Sequence, residues 1–191
     1  MDALIYDDHL FEDQSFTGMT VKGLEFQSCV FKKCDFSNSD FAQNKFLECT
    51  FDGCNLSMLK LSGATLNDVQ FKNCKILGVL FYECQDFLFS VFFDNCIMDY
   101  SSFMLKKMLK TRFVKSSLKE VNFTQANLAG SVFDQTDLSG AVFNQTDLSS
   151  VDFITSFNYS IDPEINNIRK ASFSIDGVAG LLEKHQVKIV Y

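Results

Sequence analysis

Seven cysteines and two histidines are the residues best equipped for chemistry in this chain. Thiolates and imidazoles ligate metals and act as nucleophile and base, but either task requires them to gather at one place. His9 and His185 stand at opposite ends of the sequence, so no histidine pair shares a metal or a proton. The cysteine count is odd and no Cys-x-x-Cys pair occurs. Cys34, Cys54 and Cys74 are instead spaced by 20 residues, as are Cys29 and Cys49. Serine, threonine and aspartate are abundant, yet without a suitably placed histidine they lack the usual base of a hydrolytic triad. No phosphate-binding loop or dinucleotide motif is present. The expectation is a chain that is not an enzyme, with no catalytic residue, no cofactor and no metal.

A period of five positions these residues. Stepping by five from Phe11 gives Phe16, Val21, Phe26, Phe31, Phe36, Phe41, Phe46, Phe51, Leu56, Leu61, Leu66, Phe71, Ile76 and Phe81, all apolar. A second series begins at Leu88 and runs through Phe93, Met98, Phe103, Met108, Phe113, Leu118, Phe123, Leu128, Phe133, Leu138, Phe143 and Leu148 to Phe153, again without a polar residue. Five suits neither the helical nor the strand repeat, so the backbone must turn once per repeat. Quarter turns close a square coil of 20 residues with the apolar position always inward. The position two residues earlier also points inward, with less room. It is overwhelmingly small and holds all seven cysteines, which pack there as small hydrophobes. Its misfits are Asn44, which needs buried partners, and Lys106, whose long stem is expected to carry its charge outward.

The two series are seven residues apart between Phe81 and Leu88, so two extra residues near 82–87 are expected to bulge at one corner. The bulge reads either as a binding spot or as a tolerated insertion. The repeat fades after Phe153, which divides the chain into a solenoid over 1–157 and a C-terminal segment over 158–191. There Asp162-Pro163-Glu164 predicts a helical turn. A short helix follows over 174–185, with Ser174 as N-cap and Ile175, Val178, Leu181 and Leu182 on one side. Residues 187–191 read as a terminal strand. An open solenoid end needs a cover, so Val178, Leu181, Leu182, Val187 and Ile189 are the expected cap, serving either a homodimer or a monomer.

With 20 residues per coil, charges fall into columns. Glu25/Lys45, Asp40/Lys60 and Asp35/Asn55/Lys75 read as exposed ladders of alternating sign. Lys106, Lys107, Lys110, Arg112, Lys115 and Lys119 form a basic band within one coil. From Glu120 to Glu164 there are seven acids and no Lys or Arg. Asp134, Asp137, Asp147 and Asp152 are thus candidate partner contacts, although aspartate before the central residue also suits a turn. A net charge of −7 disfavours general binding of nucleic acid. The acidic N-terminus lacks a secretory pattern and no apolar run approaches the ~18 residues of a membrane span, so a cytoplasmic protein is expected.

Ala126-Asn127-Leu128-Ala129-Gly130, Thr136-Asp137-Leu138-Ser139-Gly140 and Thr146-Asp147-Leu148-Ser149-Ser150 resemble the pentapeptide-repeat family. The resemblance implies an all-β, right-handed quadrilateral β-helix, here about seven coils and roughly 34 Å long at strand spacing. Some bacterial members protect DNA gyrase or topoisomerase IV from quinolones or peptide toxins by mimicking DNA. The tail around Asp162-Pro163-Glu164-Ile165-Asn166 and Ala179-Gly180-Leu181-Leu182 is similar to the microcin-immunity type. What the resemblance implies is a topoisomerase partner held by the acidic C-terminal half and an end-to-end homodimer. The alternative is a generic scaffold that binds another protein through the basic band.

Overall fold

The computed structural model describes residues 4–188 and 190. The five-residue period becomes a four-faced parallel β-helix. The first face of each coil pairs β1 (Leu4–Asp7), β3 (Leu24–Gln27), β5 (Lys45–Leu47) and β7 (Thr65–Asn67) in that order. The second face pairs β2 (Leu10–Glu12), β4 (Val30–Lys32), β6 (Thr50–Asp52), β8 (Val69–Lys72), β9 (Val91–Asp94), β10 (Arg112–Val114) and β11 (Val132–Asp134). The third and fourth faces are single bridges, such as Asp35↔Asn55 and Asp40↔Lys60.

Corners close on residues with positive φ, from +47° at Lys115 to +72° at Gly23. Left-handed backbone costs an L-residue roughly 1–2 kcal/mol. Part of that cost is offset because the corner amide reaches the next coil, as in Asp13 N–H to the Lys32 carbonyl at 3.0 Å. Asp and Asn before the inward residue complete the turn. Asp35 accepts from Ser37 N–H at 2.8 Å, and Asp40 from Ala42 N–H at 3.0 Å.

On the second face Phe11, Phe31, Phe51, Phe71, Phe93, Phe113, Phe133, Phe153 and Phe173 form one continuous stack, with successive centroids 4.7 to 5.4 Å apart. Most polar side chains at the small inward position follow one rule and donate to the carbonyl of the inward residue one coil earlier, whereas Ser39 and Ser156 reach the Phe36 and Phe153 carbonyls of their own coil and Ser116 that of Val114. Cys49 Sγ reaches the Phe26 carbonyl at 3.3 Å, Thr136 Oγ1 that of Phe113 at 3.1 Å, and Asn166 Nδ2 that of Phe143 at 3.0 Å. Asn44 obeys it through the Val21 carbonyl at 2.7 Å. All seven cysteines are buried and unbonded to one another. Burial pushes the Cys49 thiol up to about 12.

The ladder spacing is 20 residues up to β8 and 22 across the next step, where Val69 pairs with Val91 and Lys75 with Ile97. It returns to 20 thereafter. The extra residues lie on the first face, and two expectations fail there. Leu88 does not point inward: it has φ +58° and is 56% exposed, while Phe89 packs against the core. Lys106 does not send its charge outward, as described below.

At the C-terminal end, bridges Asp147↔Asn167 and Asp152↔Ser172 carry the ladder beyond residue 157. In place of the expected helix there are two 3₁₀ turns, Gly177–Leu181 and Glu183–His185. Ser174 Oγ accepts from Gly177 N–H at 3.0 Å. Gly177 and Gly180 lie directly on Tyr159, where a Cβ on the first would collide with the Tyr159 hydroxyl and one on the second with its carbonyl. The close approach lets Ile161 N–H reach the Gly180 carbonyl at 3.0 Å. Ile175 is not on the packed side but 85% exposed, and Leu181 alone of the apolar set packs on the core. Val187, Lys188 and Val190 form no strand. Ile189 and Tyr191 lie outside the described residues.

Candidate partner-binding surface

The interior is occupied by stacked side chains, so recognition must use the outer faces. Among the described residues no three His, Cys, Asp or Glu side chains gather as a metal site requires. No helix among them is long and apolar enough to cross a membrane.

The acids do not share one face. Asp134 and Asp152 lie on the second face, Asp137 on the third and Asp147 on the first. Three of them make turns: Asp137 accepts from Ser139 N–H at 3.1 Å, Asp147 from Ser149 N–H at 3.0 Å, and Asp152 from Ile154 N–H at 2.9 Å. Asp134 accepts from Thr155 Oγ1 at 2.7 Å. Burial pushes the Asp137 carboxyl up, but hydrogen bonds from Ser139 and Asn158, with the Lys119 ammonium 3.4 Å away, outweigh it and hold the group below the usual carboxylate range. Lys184 pairs with both Asp162 and Glu164, at 2.6 and 2.7 Å. Glu120, Asp134, Asp147 and Asp152 have no ion-pair partner among the described residues.

The N-terminal coils carry three ion pairs, Lys32–Glu12 at 2.9 Å, Lys45–Glu25 at 3.0 Å and Lys22–Asp40 at 2.9 Å, which offset only part of their acidic charge. The Asp40/Lys60 column therefore does not supply Asp40's ion pair; Lys22 does.

The basic band loses one member. Lys106 is 1% exposed, and its ammonium lies 5.0 Å from the Phe89 ring centroid, donating to the Cys84 carbonyl and to Asp86 Oδ1. It fills the space that the bulge opens above Cys84. Lys119 is spent on Asp137. Lys107, Lys110, Arg112 and Lys115 stay exposed with no ion-pair partner among the described residues. Beside them the bulge and its neighbours present Phe87, Leu88, Leu105 and Leu109 to solvent, a feature that the inward series concealed.

The profile of the Pentapeptide repeat region matches residues 24–86, and that of Pentapeptide repeats (8 copies) matches 116–153, together just over half of the chain. The chain belongs to the pentapeptide-repeat family. No curated protein matches it by sequence. Among solved structures it is similar to QnrB1, a plasmid-mediated fluoroquinolone resistance protein. A trypsin-treated form gives a TM-score of 0.58 at 16% identity, covering 99% of this chain and 100% of that one. The full-length form gives 0.57 at 16% identity, covering 96% and 100%. At that identity the likeness speaks for the pentapeptide-repeat fold alone.

Proposed function

We propose that this pentapeptide-repeat chain is a non-enzymatic rod that works by binding another protein. The observation that carries the reading is the phenylalanine stack from Phe11 to Phe173, which fills the interior of the rod and leaves the outer faces, with their variable residues, to meet a partner. The surface that fits a partner best is the exposed part of the basic band, Lys107, Lys110, Arg112 and Lys115. Cross-linking the intact protein in a cell extract, followed by mass spectrometry, tests this. The expected cross-links run from these lysines to one partner, and products confined to the N-terminal coils would overturn the assignment.

A second reading is favoured by Glu120, Asp134, Asp147 and Asp152, which are uncompensated in a stretch without cations. In it these coils occupy the DNA-binding surface of DNA gyrase or topoisomerase IV, as a DNA mimic in the cytoplasm. Their spread over several faces supports the reading less than one continuous stripe would. Supercoiling assays with and without a fluoroquinolone or a peptide toxin decide it, and unchanged inhibition at micromolar protein ends it.

Residues 158–191 close the C-terminal end in this proposal and join two copies through Val178, Leu182 and Val187, which are 44%, 41% and 53% exposed. Light scattering should give a dimer that Leu182→Glu converts to monomer.

A further inference from the structure

We infer that the first-face bulge is a preformed docking knob for an acidic, apolar-bearing peptide segment of another protein. The inference rests on the protein-binding reading and names the chemistry of the partner.

Phe87 and Leu88 are 78% and 56% exposed, although almost every other phenylalanine of the chain is inward. Leu105 and Leu109, one coil further on, are 60% and 58% exposed. A group of large apolar side chains held in water marks an interaction surface.

The knob is braced at its base. Gln85 N–H donates to the Ala64 carbonyl at 2.8 Å and Ser90 N–H to the Leu66 carbonyl at 3.0 Å, which pins both ends of the loop to the coil below. From the coil above, the buried Lys106 ammonium holds Cys84 and Asp86 and faces Phe89. A loop fixed before binding loses little entropy when the partner arrives.

Charge selects the partner. Lys107 lies on the first face in the same coil as Leu109, Lys110 follows at the corner and Arg112 opens the adjoining second face, and Asp86, the carboxylate within the knob, is already paired with Lys106. On a chain of net charge −7, this local excess of positive charge attracts carboxylates where the remaining surface repels them. An aromatic or aliphatic side chain flanked by Asp or Glu satisfies both halves of the surface.

The test pans a random peptide library displayed on phage against the intact protein. Enriched peptides are then synthesised with a fluorophore and titrated by anisotropy. The expected peptides combine Asp or Glu with Leu, Phe or Trp, and their affinity falls at least about tenfold in Phe87→Ser and in the Lys110→Glu/Arg112→Glu double variant. Phe87 is mostly solvent-exposed, so its loss leaves the fold intact, as circular dichroism should report. Enrichment of basic peptides, no enrichment, or equal binding by all three proteins overturns the inference. So does equal binding of the two variants and the wild type to anionic vesicles or single-stranded DNA that displaces the peptide. If the variants still cross-link to the wild-type partner, the knob fails and the protein-binding rod stands. If the wild type cross-links to nothing, the rod reading fails by itself.

Discussion

The Lys106 ammonium, almost completely buried, lies 2.6 Å from a carboxylate oxygen of Asp86 whose side chain is 78% exposed. The pair joins the inside of one coil to the outside of the previous one. Its two halves are not equivalent energetically. Lys106→Met leaves the Cys84 carbonyl unsatisfied and frees Asp86 to water, which should cost about 1 kcal/mol. Asp86→Ala leaves an ammonium buried with less compensation and should cost more, about 2 kcal/mol. Urea midpoints measure both, and the reverse order would contradict the account.

Donation from the small inward position should be chemically interchangeable. Thr136→Val and Thr146→Val keep the shape but remove the hydroxyls that reach the Phe113 and Phe123 carbonyls at 3.1 and 2.9 Å. Each should lose about 1 kcal/mol. Cys49→Ser retains a donor toward Phe26 and should cost less than either. The same burial predicts that Cys49, raised to about 12, resists alkylation at pH 8 until denaturant is added.

Core position and knob position should separate cleanly. Phe113→Ala opens the middle of the stack between Phe93 and Phe133 and should cost about 3–5 kcal/mol. Phe87→Ser should stay within about 0.5 kcal/mol, because the ring is already in water. Thermal unfolding of the two variants compares them directly.

Acid should weaken the C-terminal coils through Asp137. Its folded carboxyl lies below the ordinary value, so the stabilisation is present above about pH 3.9 and disappears as the pH falls through the lower folded value. Asp137→Asn should flatten that part of the curve of urea midpoint against pH. An unchanged slope would remove Asp137 from the account.

Gly180→Ala should lift the C-terminal turns from the rod, because the added methyl meets the backbone of Tyr159 rather than a yielding side chain. Faster tryptic cleavage after Lys184 is the expected readout.

The inward series was legible because every coil repeats the same environment, so a composition at one position is a structural statement at all of them. Leu88 departs from the series for a local reason: it is apolar and at the right distance, but the bulge turns its backbone to φ +58° and Phe89 packs against the core instead. The signal was Lys106, a long cation in a column of small residues one coil beyond the insertion. Its destination became visible only beside Asp86. The C-terminal helix pattern was real in its periodicity, yet Gly177 and Gly180, needed against Tyr159, leave 3₁₀ turns. The four acids looked like one group in sequence, but a square coil distributes them to several faces, where most first serve their own turns.

The change in ladder spacing from 20 to 22 residues also bears on how the rod comes apart. Every coil touches only its two neighbours, so order spreads along the molecule by nearest-neighbour coupling, as in a linear array of spins. A coupling that differs at one step is a natural domain wall. Hydrogen exchange should therefore report two protected blocks, β1 to β8 and β9 onward, that open with different free energies. Lys106, bridging that step, would then set how far an opening that starts in one block travels into the other.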